Sequence, residues 1–304
     1  MKKKVFLFGL LFSLLLLCGC GVNLTSTVKL NKDFSGTRVM SCTFSSRDFH
    51  SYFKGSKEDL NKLIKESCPD ALTYTSSSSD GNDTYTFYLR FSSLDDYKKK
   101  VRDLLNFSPE ITYEYGDSPF VSGLIYKENF TSKDLMTWLY TALYEGKYID
   151  KDSSSDLWDL KSTEISFLGT TYETKDKINI DEMAYVPLSS IHIDTKTKKS
   201  GKLARVIEFD LPQQTLDQNA GKIRSYFAGN DITWENTSDG KTLCISFDAN
   251  NFSDLAQKTR TVLHSKNSFG TYSSTCSKDN PFTLKINYEE SLDLSHFIQK
   301  NQKI

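Results

Sequence analysis

Ser118, Asp293 and His296 are the residues whose types come nearest to covalent chemistry. Ser118 closes Gly116-Asp-Ser118, and Asp293-Leu-Ser-His296 places an acid three positions before an imidazole. A serine attacks a carbonyl when a histidine takes its proton and an acid orients that histidine, so the chemistry on offer is ester hydrolysis. Cysteine offers a second chemistry. Of the six cysteines, Cys18 and Cys20 fall in an apolar leader, while Cys42, Cys68, Cys244 and Cys276 lie in the body of the chain. The four histidines, His50, His192, His264 and His296, are isolated, and no Cys-x-x-Cys or His-x-x-x-His spacing occurs. No metal site and no cofactor are expected from that pattern.

The leader decides the fate of Cys20. Lys2, Lys3 and Lys4 precede an apolar run from Val5 to Leu17, the layout of a secretory signal. The run is shorter than the roughly 20 residues that span a bilayer as a helix. Leu17-Cys18-Gly19-Cys20 resembles the lipobox of bacterial lipoproteins. That resemblance implies cleavage after Gly19, a thioether diacylglycerol on Cys20 and a protein held on the extracytoplasmic face of the cell membrane. Cys18 is the rival acceptor, but Leu17 is too large for the position before the cut. Two acyl chains make a stable anchor where one is marginal, at about 0.8 kcal/mol per buried methylene. An uncleaved apolar anchor would give the same location without the lipid.

Composition sets outer limits. The chain has 304 residues, a length that suggests about two domains of 100–200 residues each. A net charge of −1, from 38 basic and 39 acidic residues, gives no basic excess for nucleic acid or anionic headgroups. Sixteen Tyr and 20 Phe with only 6 Pro describe a folded, β-leaning chain rather than a disordered tether.

The elements that must position any site emerge from self-similarity. Phe87, Leu89 and Phe91 alternate in one segment, as Leu243, Ile245 and Phe247 do in another, at an offset of 156 residues. A helical stripe follows each: Leu94, Tyr97, Val101 and Leu104 in the first, Phe252, Leu255, Ala256, Thr259 and Leu263 in the second. Pro119-Phe120 and Tyr126-Lys-Glu128 recur as Pro281-Phe282 and Tyr288-Glu-Glu290 at an offset of 162. Ser35-Gly36-Thr-Arg-Val39 echoes Ser200-Gly201-Lys-Leu-Ala-Arg-Val206. Within a unit, Phe44-Ser-Ser-Arg-Asp-Phe49, Phe91-Ser-Ser-Leu-Asp-Asp-Tyr97 and Phe130-Thr-Ser-Lys-Asp-Leu135 share one design. A strand ends on Phe, Ser or Thr caps the next helix, and Asp sits in its first turn. Turn-rich stretches at 31–36, 79–83 and 115–119 precede strands. The expected fold is α+β: two tandem repeated units, each an antiparallel sheet of successive strand-turn-strand-helix modules with helices covering one face. The expected boundaries are a signal peptide at 1–19, a lipidated tether at 20–25, unit A at 26–145, a partly ordered connector at 146–186 and unit B at 187–304.

Met40, Cys42 and Phe44 share one strand face, and Leu60, Ile64 and Cys68 one helix face. A Cys42–Cys68 disulfide, compatible with an exported protein, and two buried free thiols fit this pattern equally. Cys244 alternates to the opposite sheet face and Cys276 falls in a turn, which disfavours their pairing.

Gly116-Asp-Ser118 with Asp293-Leu-Ser-His296 resembles the nucleophile and Asp-x-x-His blocks of the GDSL/SGNH esterases. That family places its serine near the mature N-terminus after a parallel strand, whereas Ser118 lies deep in the chain between antiparallel strands. Pro119 stands where a leucine usually follows. The repeat also aligns the block with Lys278-Asp-Asn-Pro-Phe282, which has no serine, and puts His296 opposite Asp134 inside a helix. No catalytic residue is expected. Tyr74, Tyr88, Tyr113, Tyr115, Tyr126 and Tyr288 lie in strands, where Tyr suits a half-exposed position. An uncovered face rich in them would instead bind glycan, peptide or lipid.

The lipobox, the Gly-bearing hairpin Val28-Lys-Leu-Asn-Lys-Asp-Phe-Ser-Gly36 and the strand–helix order that follows resemble bacterial lipoproteins with an LppM-like domain, over about 90 residues of unit A. The family's usual C-terminal membrane helix has no counterpart here. The resemblance implies a small α+β envelope domain with lipid affinity and carries over no catalytic residue. Three functions follow in order. The first is a non-enzymatic membrane-anchored lipoprotein that binds an envelope protein or assists assembly at the cell surface. The second is a lipid- or glycolipid-binding carrier, and the third a GDSL-like hydrolase.

Overall fold

A computed structural model describes residues 22–46, 53–105, 107–150, 157–265, 268–276 and 284–298. Cys18, Cys20 and the leader lie outside the described residues, as do His50 and residues 277–283. The fold is α+β. Two compact units form. The first takes the described residues up to Tyr113 together with Ile125–Asp181; the second takes Glu114–Leu124 and the described residues from Glu182 onward.

The first unit opens with β1 (Val22–Leu30) and β2 (Gly36–Ser45), then α1 (Lys57–Ser67), β3 (Thr73–Ser79), β4 (Asn82–Phe91) and α2 (Leu94–Leu105). The hairpin β5 (Ile111–Asp117) and β6 (Val121–Glu128) leads through a short 3-10 turn at Asp134–Met136 into α3 (Thr137–Glu145). Then come β7 (Trp158–Phe167), β8 (Thr170–Thr174) and β9 (Asn179–Asp181). Six strands make one sheet in the order β3-β4-β2-β1-β7-β8. Its alternation is the reason it is half buried. Val22, Leu24, Val28 and Leu30 of β1, Met40, Cys42 and Phe44 of β2, and Tyr85, Phe87, Leu89 and Phe91 of β4 are buried, with more exposed residues between them. Leu60 and Ile64 of α1, and Tyr97, Val101 and Leu104 of α2, are buried at helical spacing.

Two expectations are corrected here. The sheet is mixed rather than wholly antiparallel, because β7 runs parallel to β1 with Val22 opposite Trp158 and Leu30 opposite Phe167. The stretch expected to be a connector therefore supplies strands to the first unit. The reason is burial: Trp158, Leu160, Ile165 and Phe167 carry an alternating apolar face that the edge of β1 accommodates. The helix expected straight after Phe44 falls on residues 47–52, outside the described residues, with Ser46 just before them helical; α1 begins at Lys57. Ser56 and Asp59 form the capping box there, and the apolar stripe begins at Leu60.

Turns follow their chemistry. Asp80 (φ 52°) and Gly81 (φ 76°) make the two-residue turn between β3 and β4, where both centres need positive φ. Leu168 (φ 47°) and Gly169 (φ 86°) do the same between β7 and β8, which leaves Leu168 exposed at the tip. Phe34 also has φ 61°, an unfavourable setting for a bulky residue. Its ring compensates as a buried hub, 5.5 Å from Phe91, 5.5 Å from Tyr97 and 4.7 Å from Tyr113.

The second unit contains β10 (Ala184–Tyr185), β11 (Ser190–Thr197), β12 (Leu203–Pro212), α4 (Gln213–Tyr226), β13 (Ile232–Asn236), β14 (Gly240–Ala249), α5 (Phe252–Val262) and the hairpin β15 (Phe269–Cys276) with β16 (Leu284–Ser291). Four strands form an antiparallel sheet in the order β11-β12-β14-β13. Phe120, Phe209, Phe227 and Phe297 meet in the core with ring centroids 5.0–6.4 Å apart. After β16 the described residues form a turn through Ser295–Phe297, so His296 is not within a helix.

Three helix caps share one device. Asp59, Asp96 and Asp254 each accept the backbone N–H of a preceding residue, Ser56, Ser92 and Asn250, at 2.8–2.9 Å. Those bonds are the main reason their carboxyls lie below the usual carboxylate range. A depressed folded-state pKa stabilises above the unfolded value near 3.9 and is lost as pH falls through the folded value. Helicity should therefore hold from pH 7 to about 4.5 and fall below about 4. The triple variant Asp59→Asn, Asp96→Asn, Asp254→Asn should be less stable at pH 7 with a shallower acid slope. A circular dichroism titration giving both proteins the same slope would remove the caps as the cause.

Candidate functional site

The central face of each sheet carries a buried arginine. In β2, Arg38 occupies the same inward register as Met40, Cys42 and Phe44 and is 1 % exposed. A guanidinium cannot shed its proton, so it must be paired where it stands. Its Nη1 donates to Glu128 Oε2 and to Tyr97 Oη, both at 2.7 Å, and its Nη2 donates to Ser132 Oγ at 2.8 Å. Tyr97 donates to Glu128 Oε1 at 2.7 Å, and Tyr126 donates to the same oxygen. Ser132 and Thr163 join at 3.0 Å. Burial works hardest against the charged guanidinium, but the attraction and hydrogen bond of Glu128 together with Tyr97 and Tyr126 outweigh it and raise the Arg38 pKa. Burial pushes the Tyr97 and Tyr126 hydroxyls up as well, so both stay protonated donors.

The second unit holds a similar arrangement. Arg205 of β12 is 2 % exposed and meets Glu290 of β16 through two parallel bonds of 2.6 and 2.7 Å. Thr259 of α5 accepts from Arg205 at 2.8 Å, Thr195 of β11 at 2.9 Å, and Tyr288 donates to Glu290 at 2.6 Å. These groups pair with one another inside the protein, and among the described residues only the Nε–H of Arg38 in the two networks is buried without an acceptor. Sequence reading quoted all four charged residues as markers of self-similarity and missed their pairing. The available signal was an arginine on the apolar side of an alternating strand, which requires a carboxylate nearby. Tyr126, expected at a half-exposed strand position, is fully buried in this network, while Tyr74, Tyr88, Tyr113, Tyr115 and Tyr288 are half-buried.

The structure does bring Ser118 and His296 together, but not as nucleophile and base. The Ser118 hydroxyl donates to the main-chain carbonyl of His296 and accepts from the N–H of Phe120 at 3.1 Å and of Val121 at 2.9 Å. Its proton is held by a carbonyl, and its lone pairs fasten the β5–β6 turn. The Asp293 carboxylate accepts from Ser295 N–H at 3.0 Å and so caps a turn.

A cleft of about 740 Å³ opens beside these residues, within the second unit. Its size falls in the range of small-ligand sites. Glu114, Tyr115 and Gly116 of β5 line one side, Met183 and Tyr185 a second, and Leu292–His296 a third. Gly123 (φ 115°) permits this arrangement: a Cβ there would lie 2.1 Å from the Glu182 carbonyl oxygen, so another residue would displace the segment that carries Met183 and Tyr185. The lining mixes aromatic and aliphatic surface with Glu114, Asp293 and His296, and includes no lysine or arginine.

Among the described residues no group of His, Cys, Asp and Glu is placed to hold a metal ion. His192 bonds Ser190 at 3.1 Å, and His264 bonds the Tyr226 carbonyl at 3.0 Å. Cys42, Cys68 and Cys244 are free thiols. Cys42 and Cys68 do not form the disulfide that the sequence allowed. Leu60 and Ile64 fill the helix face under the sheet, whereas Cys68 is the C-cap of α1 and half-exposed. Burial raises both thiol pKa values, that of Cys42 by far the more. Iodoacetamide at pH 8.5 should label Cys68 in the folded protein and Cys42 only after unfolding. A Cys42–Cys68 linked peptide in a non-reducing digest would overturn this arrangement.

No helix among the described residues is long and apolar enough to cross a membrane. No protein-family model matches the chain, and no curated protein matches it.

Proposed function

We propose that this chain is a lipid-anchored binding module on the outer face of the cell membrane, built from two copies of one α+β module and not an enzyme. The leader and Cys20 support the anchor, and the tether would be short, since β1 begins at Val22. Three structural agreements support the duplication. Strand order β3-β4-β2-β1 in the first unit matches β13-β14-β12-β11 in the second. Each unit pairs an inward arginine of its second strand with the glutamate of a Tyr-x-Glu hairpin strand. At an offset of 158, Lys100 and Lys258 each donate to a carbonyl at the end of the preceding strand, Arg90 or Asp248, and to the capping aspartate. A weak likeness of the first module to LppM-like lipoprotein domains agrees with an envelope role.

The observation that carries the binding reading is the cleft of the second unit, roomy, half apolar and acidic. The hydrolase reading would need the Ser118 proton to face an imidazole, and it faces a backbone carbonyl. The carrier reading would need space between sheet and helices, and Phe87, Leu89, Tyr97 and Val101 occupy that layer in the first unit.

The test has two parts. Mass spectrometry of detergent-extracted protein should find an N-terminal peptide starting at Cys20 with a diacylglycerol mass; an intact Met1 start sinks the anchor. A photo-crosslinking amino acid at position 294 should give one discrete adduct in whole cells that Tyr115→Ala and Asp293→Lys abolish. Absence of the adduct sinks the cleft as a binding site, and short-chain ester hydrolysis that Ser118→Ala removes would restore the hydrolase.

A further inference from the structure

A second groove lies wholly in the first unit and has a different electrostatic character. It encloses about 630 Å³ between the C-terminal ends of α1 and α2 and the length of α3. Three carboxylates line it, Asp103, Asp134 and Glu145, and no lysine, arginine or histidine does. Helix geometry adds to this charge. The last turns of α1, α2 and α3 reach the groove at Ser67, Leu105 and Gly146, and a helix C-terminus carries about half a negative charge on its unsatisfied carbonyls. Three such ends converging beside three carboxylates make a field that selects cations.

The floor is apolar. Leu63, Leu105 and Trp138 contribute to it. Phe107 stands at the rim 47 % exposed, one of four large hydrophobic side chains that are clearly exposed among the described residues. The Trp138 indole N–H is buried with no acceptor among the described residues. A bare cation would leave the aromatic surface unused, and an acyl chain would leave three carboxylates facing hydrocarbon.

We propose that this groove binds a short basic amphipathic peptide segment of a partner protein. Its lysine or arginine sits among Asp103, Asp134 and Glu145, and its large apolar side chain packs on Phe107 and Trp138. The site is separate from the cleft of the second unit, so the two readings stand or fall independently.

The mature chain carrying Cys20→Ser, which needs no detergent, is titrated calorimetrically with amidated Lys-Leu-Phe-Lys and with its mirror in charge, Glu-Leu-Phe-Glu. The basic peptide should bind saturably, with affinity falling as salt rises from 50 to 300 mM. The acidic one should not bind. Asp103→Asn with Glu145→Gln should weaken binding about tenfold, and Phe107→Ser, at an exposed position, by a similar factor, with circular dichroism unchanged. Equal binding of both peptides, indifference to these variants, or competition by a neutral fatty alcohol at equal affinity overturns the proposal. So does self-association that Phe107→Ser abolishes, since a second copy of the chain would then be the occupant.

Discussion

Replacing Glu128 with alanine should destabilise the protein by about 3–5 kcal/mol, because it strands the Arg38 charge where no water reaches. Arg38 and Glu128 side chains are 1 % and 0 % exposed. The loss reaches beyond the ion pair, since the hydroxyls of Tyr97 and Tyr126 both donate to the same carboxylate. The double variant Arg38→Met, Glu128→Leu removes both charges and should recover much of the loss. Recovery stays incomplete, because two buried hydroxyls then lack an acceptor at about 1–3 kcal/mol each. Glu290→Ala in the second unit should have a smaller effect, since Glu290 is 14 % exposed and water can reach part of the gap. Urea unfolding of the wild type, these three variants and the single variants Arg38→Met and Glu128→Leu checks this. If Arg38→Met and Glu128→Leu prove additive within about 0.5 kcal/mol, the pair is not coupled.

Phe120→Ala should lose about 3–5 kcal/mol from the second unit, the range for emptying a buried aromatic position. Phe120 is fully buried against Phe209, Phe227 and Phe297, yet it belongs to the β5–β6 turn. Its removal should unpin the turn that Ser118 fastens and lower hydrogen-exchange protection in β12 and β14 more than in β1 and β2. A loss below about 1 kcal/mol would mean that the cluster closes over the gap, against the usual behaviour of packed aromatic cores.

Local chemistry made part of this fold legible in the sequence. Alternation located β4 and β14, and the Ser–Asp pattern located the cap of α2. Helical spacing located α2 and α5. Parallel pairing of β7 with β1 was not legible, since the pattern of a strand does not name its neighbour. The polar networks were hidden for a related reason: Arg38 and Glu128 look like surface charges until the strand register puts both inside. Ser118 and His296 illustrate the converse. Their residue types invited a dyad that the sequence argued against, and the contact between them uses the backbone of one partner.

The way the chain is divided between the units has a consequence for how the protein can be made and taken apart. Residues 114–124 belong to the second unit, although the first continues to Asp181. No single cut yields either unit whole, so fragments ending near 113 or 145 leave each half without strands it needs. Synthesis from the N-terminus meets the same arrangement in time. β1 emerges first, and one of its edges stays open until residues 158–167 arrive. An open strand edge is the usual starting point for wrong pairing between chains. The vulnerable interval in the life of this protein is therefore set by the late arrival of β7, not by the formation of its first hairpin.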